Sequence, residues 1–206
     1  MSFDIRSLAL IFGLLASAVA AFFAFQPEPQ PVERIVRIVE PSDTGTRLAY
    51  SDGNYPVLTL PDGSKQPIRS VLDISERLRF GQAVWDDRDV PDGPMLVRVD
   101  LSRQLVSVFR GGHEIGSTII LYGAASKPTP TGMFKVLQKS ADYHSRTYDA
   151  PMPYMLRLTS DGVAIHGSDV RERAATHGCI GVPLDFARHL YAAMSLGDRV
   201  AIVKAD

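Results

Sequence analysis

The sequence predicts a mainly β domain, of the sandwich or barrel class, behind an apolar N-terminal segment. From residue 91 onward, short runs of alternating apolar and polar residues recur between turn signals, which is typical of half-buried strands. One amphipathic helix interrupts these runs. Many short strands with a single good helix favour a sandwich or a barrel over a parallel α/β sheet.

The N-terminal segment Leu8–Phe25 carries no charged residue. As a helix rising about 1.5 Å per residue it spans roughly 27 Å, close to the hydrocarbon thickness of a bilayer. Arg6, on its short N-terminal side, favours a cytoplasmic N-terminus. We expect an uncleaved transmembrane anchor. The alternatives are a cleaved signal peptide, with small residues at Ala16–Ala20, and a buried helix of a soluble domain.

The rest of the chain divides by composition. After the anchor, residues 1–26, prolines at alternate positions predict an extended linker at residues 27–34. Residues 35–90 form an N-terminal extension in which we find no chemical motif, although Ile68–Phe80 has the apolar spacing of a helix. The main domain is predicted to occupy residues 91–206.

Seven segments of the main domain have the alternation of strands. They are Met95–Val99, Leu105–Phe109, Glu114–Tyr122, Met133–Gln138, Tyr154–Leu158, Val163–His166 and Arg199–Lys204.

The single helix of this domain is predicted after Pro183, which suits a first helical turn, and before Gly197, which suits a helix end. Between the strands, Ser140–Pro153 has no clear period and predicts a long polar and aromatic loop. Tyr143 in this loop and Tyr154 beside it are candidates to line a substrate cleft; an ordinary surface loop is the alternative.

Composition excludes some functions. The net charge is −1 and no cluster of Lys or Arg stands out, so the sequence predicts no nucleic-acid partner. Cys179 is the only cysteine and cannot form an internal disulfide bond. In an exported protein such a residue indicates a free, reactive thiol.

The residues around Cys179 indicate nucleophilic chemistry. A thiol needs a base or a positive field, because at neutral pH only a few per cent of it is thiolate. His166 and His177 are the available imidazoles, and the sequence alone leaves open which of them takes the proton. Gly178 permits a tight turn that aims backbone N–H groups at a developing oxyanion.

Two other interpretations compete for these residues. His166, His177 and Cys179, joined by His189 or Asp169, could ligate zinc, but the ligand spacing of known zinc motifs is missing. Cys179 could also be a small buried hydrophobic residue. We expect neither a metal nor any other cofactor.

Two motifs of the chain resemble the signatures of the L,D-transpeptidase (YkuD-type) family. Ile165–Gly167, followed downstream by Thr176–Ile180, resembles that family's histidine and Ser/Thr-His-Gly-Cys elements. Pro128–Phe134 resembles its Thr-Pro-Thr-Gly-x-Phe element. The resemblance covers about residues 93–204 and implies a YkuD-type β-sandwich with one or two short helices.

The resemblance implies acyl transfer on peptidoglycan stem peptides in the periplasm, without a metal. Cys179 would attack the carbonyl of the third stem residue, D-alanine would leave, and an amine of a neighbouring stem or of an envelope lipoprotein would resolve the thioacyl-enzyme. His166 would be the general base, oriented by the Gly167 carbonyl. Thr176 and His177 would shape the site, and the Gly178 and Cys179 amides would form the oxyanion hole.

One position departs from the family pattern. Where the family usually carries Arg or Asn, this chain has Gly181. A substrate carboxylate would then need another cation, and Arg171, Arg173 and Arg157 are the candidates. The departure keeps two alternatives to the transpeptidase open: a carboxypeptidase or hydrolase acting on the same bond, and a non-catalytic cell-wall-binding module.

Overall fold

The computed structural model describes residues 47–204. The predicted anchor at Leu8–Phe25 and the linker at residues 27–34 lie outside the described residues. Among residues 47–204, no helix is both long enough and apolar enough to span a membrane.

The described residues form fourteen strands and one α-helix. The strands are β1 (Arg47–Ala49), β2 (Val57–Thr59), β3 (Lys65–Pro67), β4 (Ser70–Leu72), β5 (Ala83–Trp85), β6 (Met95–Asp100), β7 (Leu105–Arg110), β8 (His113–Ile119), β9 (Gly132–Lys135), β10 (Gln138–Ser145), β11 (Ala150–Arg157), β12 (Ala164–Gly167), β13 (Ile180–Val182) and β14 (Arg199–Val203).

The strands form two main sheets and a small hairpin. The larger sheet has the order β1-β4-β8-β7-β6-β14-β9, and β5 also pairs with β8. The smaller sheet has the order β10-β11-β12-β13, in which the last pair is parallel. β2 and β3 form a separate hairpin. An antiparallel bridge between Leu121 and Gly181 connects the chain after β8 to β13.

The helix α1, Leu184–Ala193, follows Pro183 as predicted. Its apolar face buries Phe186 and Leu190 in a core that also contains Val97 of the larger sheet and Ile165 of the smaller one. Truncation of a buried phenylalanine costs about 3–5 kcal/mol, so this shared core is a main source of the stability of the domain. The mainly β architecture with one helix is therefore confirmed.

The predicted helix at Ile68–Phe80 is wrong. Ser70–Leu72 is strand β4, and the chain after it is irregular. β4 pairs with β1 on one side and meets β8 at Ser70 on the other, and Leu72 is buried. Pairing with strands on both sides has overridden the helical spacing of the apolar residues.

The predicted long loop at Ser140–Pro153 is also wrong. β10 and β11 form a regular antiparallel hairpin through this segment, and only a short turn joins them. Most residues of β10 are partly or fully exposed, so they are polar although they are extended. An outer strand with a wet face lacks the clean apolar alternation on which the sequence prediction depended.

The N-terminal extension supplies part of the larger sheet. Arg47 of β1 donates hydrogen bonds to the backbone carbonyls of Asp86 and Glu114 and to Ser70 Oγ. The amide of Leu72 donates to the carboxylate of buried Glu114, with an N–O distance of 3.1 Å. Residues 47–204 accordingly lie within one compact unit.

Candidate active site

The turn that carries Cys179 is shaped by Gly178, whose φ of 103° lies in the left-handed region. Side chains rarely adopt that conformation, which explains a glycine here. Thr129 clamps the turn: its hydroxyl donates to the Gly178 carbonyl at 3.0 Å and accepts from the Gly123 amide at 2.8 Å. The proline-rich motif is therefore a brace for the cysteine turn.

Thr176 holds the other side of the same turn. Its amide donates to the Tyr122 carbonyl at 3.0 Å, and its carbonyl accepts from the Ala124 amide at 3.0 Å. Its hydroxyl donates to the carbonyl of Cys179. The loop before the cysteine is thus fixed to the segment that leaves the larger sheet.

The parallel pair of β12 and β13 brings the predicted nucleophile and base together. Ile165 pairs with Ile180 and His166 with Gly181, so Ala164 lies beside Cys179 one position earlier. Side chains two residues apart on a strand share a face of the sheet. His166 and Cys179 are therefore diagonal neighbours on one face.

The orientation of His166 follows from one hydrogen bond. Its Nδ1 lies 2.9 Å from the Gly167 carbonyl oxygen. A carbonyl only accepts, so Nδ1 carries the proton and Nε2 of the neutral ring is free to take another. Burial lowers the pKa of the His166 imidazole, and the bond to Gly167 acts in the opposite direction.

The thiol of Cys179 is half-buried and faces a backbone carbonyl. Its Sγ contacts the Gly162 carbonyl at 3.7 Å. Burial raises the pKa of the thiol, while the Ala164 backbone and the Lys127 cation lower it. The pKa of His166 is lowered at the same time, so burial favours the uncharged form of both groups.

Tyr143, a predicted substrate-binding residue, shares an apolar cluster with Cys179. It packs with Cys179 against a small apolar cluster of Met152, Met155 and Ala164.

The phenol of Tyr143 accepts a hydrogen bond of 3.0 Å from Arg157 Nη2. Arg157 Nε is buried and has no hydrogen-bond partner among residues 47–204. Of the three arginines considered as a replacement for the missing family side chain, Arg157 is therefore built into the wall of the site.

Tyr154 and Arg171, the other predicted substrate-binding residues, lie elsewhere. Tyr154 packs against the main core and against Tyr191 of α1, with ring centroids 5.8 Å apart. Arg171 is exposed and forms an ion pair of 2.9 Å with Asp169. The structure brings neither side chain into the cluster that holds Cys179.

His177 points to the outside of the cysteine loop. Its ring stacks on Tyr148 of the β10–β11 turn, with centroids 4.5 Å apart and planes 15° apart. His189 of α1 stacks instead on Trp85. Within the part of the chain from 47 to 204, no three His, Cys, Asp or Glu side chains lie together as metal ligands.

The place of the missing family side chain is occupied by Ser168. A Cβ on Gly181 would lie 2.9 Å from Ser168 Cβ and 3.2 Å from its Oγ. A larger residue at position 181 would therefore require Ser168 to move. Gly181 also pairs with Leu121 through both of its backbone groups, which fixes the strand beside the nucleophile.

Sequence reasoning missed three contributors to the site. Thr129 stood inside a recognised motif, but its contact with Gly178 is 49 positions away in the chain. Lys127 precedes the same motif, and Tyr148 lay in the predicted loop; nothing in their local pattern indicates that they meet at His177. Only the folded hairpin brings them together.

Comparison with known proteins agrees with this geometry. The family model described as the L,D-transpeptidase catalytic domain (YkuD) matches residues 94–202. L,D-transpeptidase 1 of Mycobacterium tuberculosis is 23% identical over 214 residues, covering 94% of this chain and 80% of that protein.

Two solved structures give the same result for the fold. An L,D-transpeptidase from Stackebrandtia nassauensis superposes with a TM-score of 0.51 at 23% identity, over 57% of this chain and 60% of that chain. An Enterococcus faecium L,D-transpeptidase, crystallised as a cysteine-to-serine mutant, gives 0.50 at 26% identity, over 54% of this chain and 50% of that one. Because the family model covers more than half of the 206 residues, the chain belongs to the YkuD family of L,D-transpeptidase catalytic domains.

Proposed function

We propose that this protein is a peptidoglycan L,D-transpeptidase that works through a thioacyl-enzyme on Cys179. The observation that carries the proposal is the pairing of β12 with β13. It puts the only thiol of the chain on the same sheet face as His166, whose Nδ1 is held by the Gly167 carbonyl. Membership of the family supports acyl transfer on stem peptides.

The reaction begins from a neutral pair. The thiol exchanges its contact with the Gly162 carbonyl for one with His166, and its proton passes to Nε2 as Sγ attacks the carbonyl carbon of the third stem residue. The amides of Gly178 and Cys179 stabilise the oxyanion of the tetrahedral intermediate.

Collapse of that intermediate breaks the amide bond to D-alanine. The departing nitrogen takes the proton from the His166 imidazolium, which leaves a thioester on Cys179. An acceptor amine then attacks the thioester, gives a proton to His166, and forms the new amide. The thiolate that leaves recovers this proton, so the enzyme returns to its starting state.

Export to the cell envelope belongs to the same proposal. An inner-membrane anchor at residues 8–25 and a linker at residues 27–34 would place the catalytic domain in the periplasm, next to peptidoglycan. An envelope lipoprotein with an exposed amine is a second class of acceptor. Protease protection of the domain in intact cells, with cleavage after the outer envelope is opened, tests this location.

The central test is mass spectrometry of the full-length protein in detergent with a disaccharide-tetrapeptide. We expect loss of D-alanine, a thioester on Cys179 and, with a second stem present, a cross-linked product. Cys179→Ala should form no adduct. Absence of an adduct in the parent protein contradicts the proposal, and an adduct resolved only by water makes the enzyme a carboxypeptidase instead.

A further inference from the structure

Three side chains from three separate segments meet beside the nucleophile. Lys127 Nζ donates a hydrogen bond of 2.5 Å to the phenol of Tyr148, whose ring stacks on His177. Lys127 lies in the loop between β8 and β9, Tyr148 in the β10–β11 turn, and His177 in the cysteine loop. We call these three residues the rim cluster.

The rim cluster lies against the turn of the nucleophile. Lys127 Cγ is 3.9 Å from the position that a Cβ on Gly178 would occupy, and Gly178 directly precedes Cys179. Lys127 also acts electrostatically on the thiol: it lowers the pKa of Cys179, against the larger effect of burial. An exposed ammonium group is therefore held close to the reacting sulfur.

The charge of Lys127 is available to a ligand. Its hydrogen bond to Tyr148 is the main reason that its pKa is raised, so the amine stays protonated. Among residues 47–204, the carboxylate that acts on it is Asp161, at more than ion-pair distance. Asp161 is exposed and receives a hydrogen bond from the Thr159 hydroxyl.

The number of hydrogen-bond donors at this site suits the binding of a carboxylate. A lysine ammonium has three protons, of which the Tyr148 phenol takes one. The phenol accepts that bond and keeps its own O–H, which can point in another direction. Lys127 and Tyr148 together thus present two or more donors and one positive charge, and a carboxylate binds such a set by charge-assisted hydrogen bonds.

The substrate of the proposed reaction carries a carboxylate at the corresponding place. In a tetrapeptide stem, one carbon separates the nitrogen of the scissile amide from the carboxylate of the terminal D-alanine. When the scissile carbonyl meets Sγ, that carboxylate lies close to the sulfur as well. A cation on the adjacent turn is well placed to receive it.

We propose that Lys127 and Tyr148 bind the terminal carboxylate of the acyl donor, and that the rim cluster thereby selects donors with a free carboxyl end. This inference rests on the proposed function, because it names the group of the donor that the site recognises. It also gives the site a positive charge for a substrate carboxylate, although position 181 has no charged side chain.

The test compares two donors with the full-length enzyme in detergent. One is the disaccharide-tetrapeptide that ends in D-alanine, and the other is the same compound ending in D-alaninamide. The second-order rate of thioester formation is followed by mass spectrometry. One charge-assisted contact at an exposed site predicts a preference of about tenfold for the free carboxylate.

Single substitutions test whether this preference for the free carboxylate depends on the rim cluster. Lys127→Met should abolish it, and Lys127→Arg, which keeps the charge, should retain most of it. Asp161→Asn should increase it, because a repulsive carboxylate is removed while the oxygen that accepts from Thr159 is kept. Lys65→Met, on an exposed position of β3, is the matched control and should leave it unchanged.

The outcomes separate the two proposals. No adduct with either donor contradicts the proposed function. Equal acylation by both donors, or a preference that survives in Lys127→Met, overturns the rim-cluster assignment and leaves the proposed function intact. Far-UV circular dichroism and the thermal unfolding transition report whether each variant is folded. If Lys127→Met does not fold, the opposite shifts expected of Lys127→Arg and Asp161→Asn decide the matter.

Discussion

Cys179 and His166 are both buried enough to favour their uncharged forms. Burial raises the pKa of the thiol and lowers the pKa of the imidazole, so a resting thiolate–imidazolium pair is disfavoured from both sides. In the proposed mechanism, proton transfer is then coupled to substrate binding, and we expect the free thiol to react slowly with small electrophiles at neutral pH.

The pH dependence of alkylation tests this resting state. The pKa of Cys179 is raised above the ordinary thiol value of 9.0, so its thiolate is formed only as the pH rises beyond that value. We expect the rate with iodoacetamide to be low at pH 7 and still increasing at pH 9. A plateau reached between pH 5 and pH 7 would show an ion pair and contradict this expectation.

Substitution of His166 and of His177 should have very different effects on the rate of thioester formation. His166→Ala removes the proposed general base and should slow thioester formation by about 10²–10⁴-fold without loss of the fold. His177→Ala removes a ring that stacks on Tyr148 and should slow it far less. Single-turnover mass spectrometry measures both rates. A larger loss in His177→Ala would reverse the assignment of the base.

At the level of single residues, the sequence named candidates for the reacting groups but not their surroundings. Cys179, His166 and Gly167 could be named because they lie within recognisable motifs. For Tyr154, the sequence did not indicate the positive φ of 55° or the packing of its ring against Tyr191 of α1. The contact of Lys127 with Tyr148 was not predicted, because it depends on the turn of a hairpin that the sequence did not indicate.

Among the structural elements, the contact of the proline-rich motif with the cysteine turn offers the most direct test. Thr129 is buried and satisfies the Gly123 amide and the Gly178 carbonyl together. Thr129→Val keeps the shape of the side chain and leaves both groups unsatisfied. We expect a loss of about 2–3 kcal/mol in the free energy of unfolding, together with a lower turnover.

Denaturant unfolding and the rate of thioester formation measure the two effects of Thr129→Val. Thr131→Val, at an exposed position two residues further, is the matched control and should change neither quantity. Unfolding free energies of Thr129→Val and the parent that agree within error would show that the brace is dispensable.

The strands that the sequence predicted are rich in buried apolar residues, such as β6 and β7. The strands that it missed lack a clear apolar alternation. β4 gains its conformation from its neighbours in the sheet, and β10 is too polar to show an alternating pattern. Such strands depend on long-range pairing, which no local period encodes.

At the scale of the whole molecule, buried Glu114 links the N-terminal extension to the larger sheet. Burial raises its pKa, while its hydrogen bonds with Ser107 and the Leu72 amide and the charge of Arg47 act in the opposite direction. A raised folded-state pKa favours the protonated carboxyl. Its stabilising contribution is therefore complete below the ordinary glutamate pKa of 4.5 and is lost as the pH rises through the folded value.

Glu114→Gln resembles the protonated carboxyl and should remove this pH dependence. Its thermal unfolding temperature should match that of the parent near pH 4 and exceed it near pH 8. Glu76→Gln, at an exposed position, is the control and should follow the parent at both values. If Glu114→Gln is less stable than the parent at pH 8, the charged form is the one that the fold prefers.

The bridge between Leu121 and Gly181 has a consequence for the order of folding. It joins residues 60 positions apart, and the contact of Thr129 with Gly178 spans 49. Contacts of such long range form slowly, because much of the chain must be ordered before they are made. The local hairpins β6–β7 and β10–β11 can therefore form while the cysteine turn is still unordered. In a refolding experiment, we expect the far-UV circular dichroism signal of paired strands to be recovered before the capacity to form a thioester.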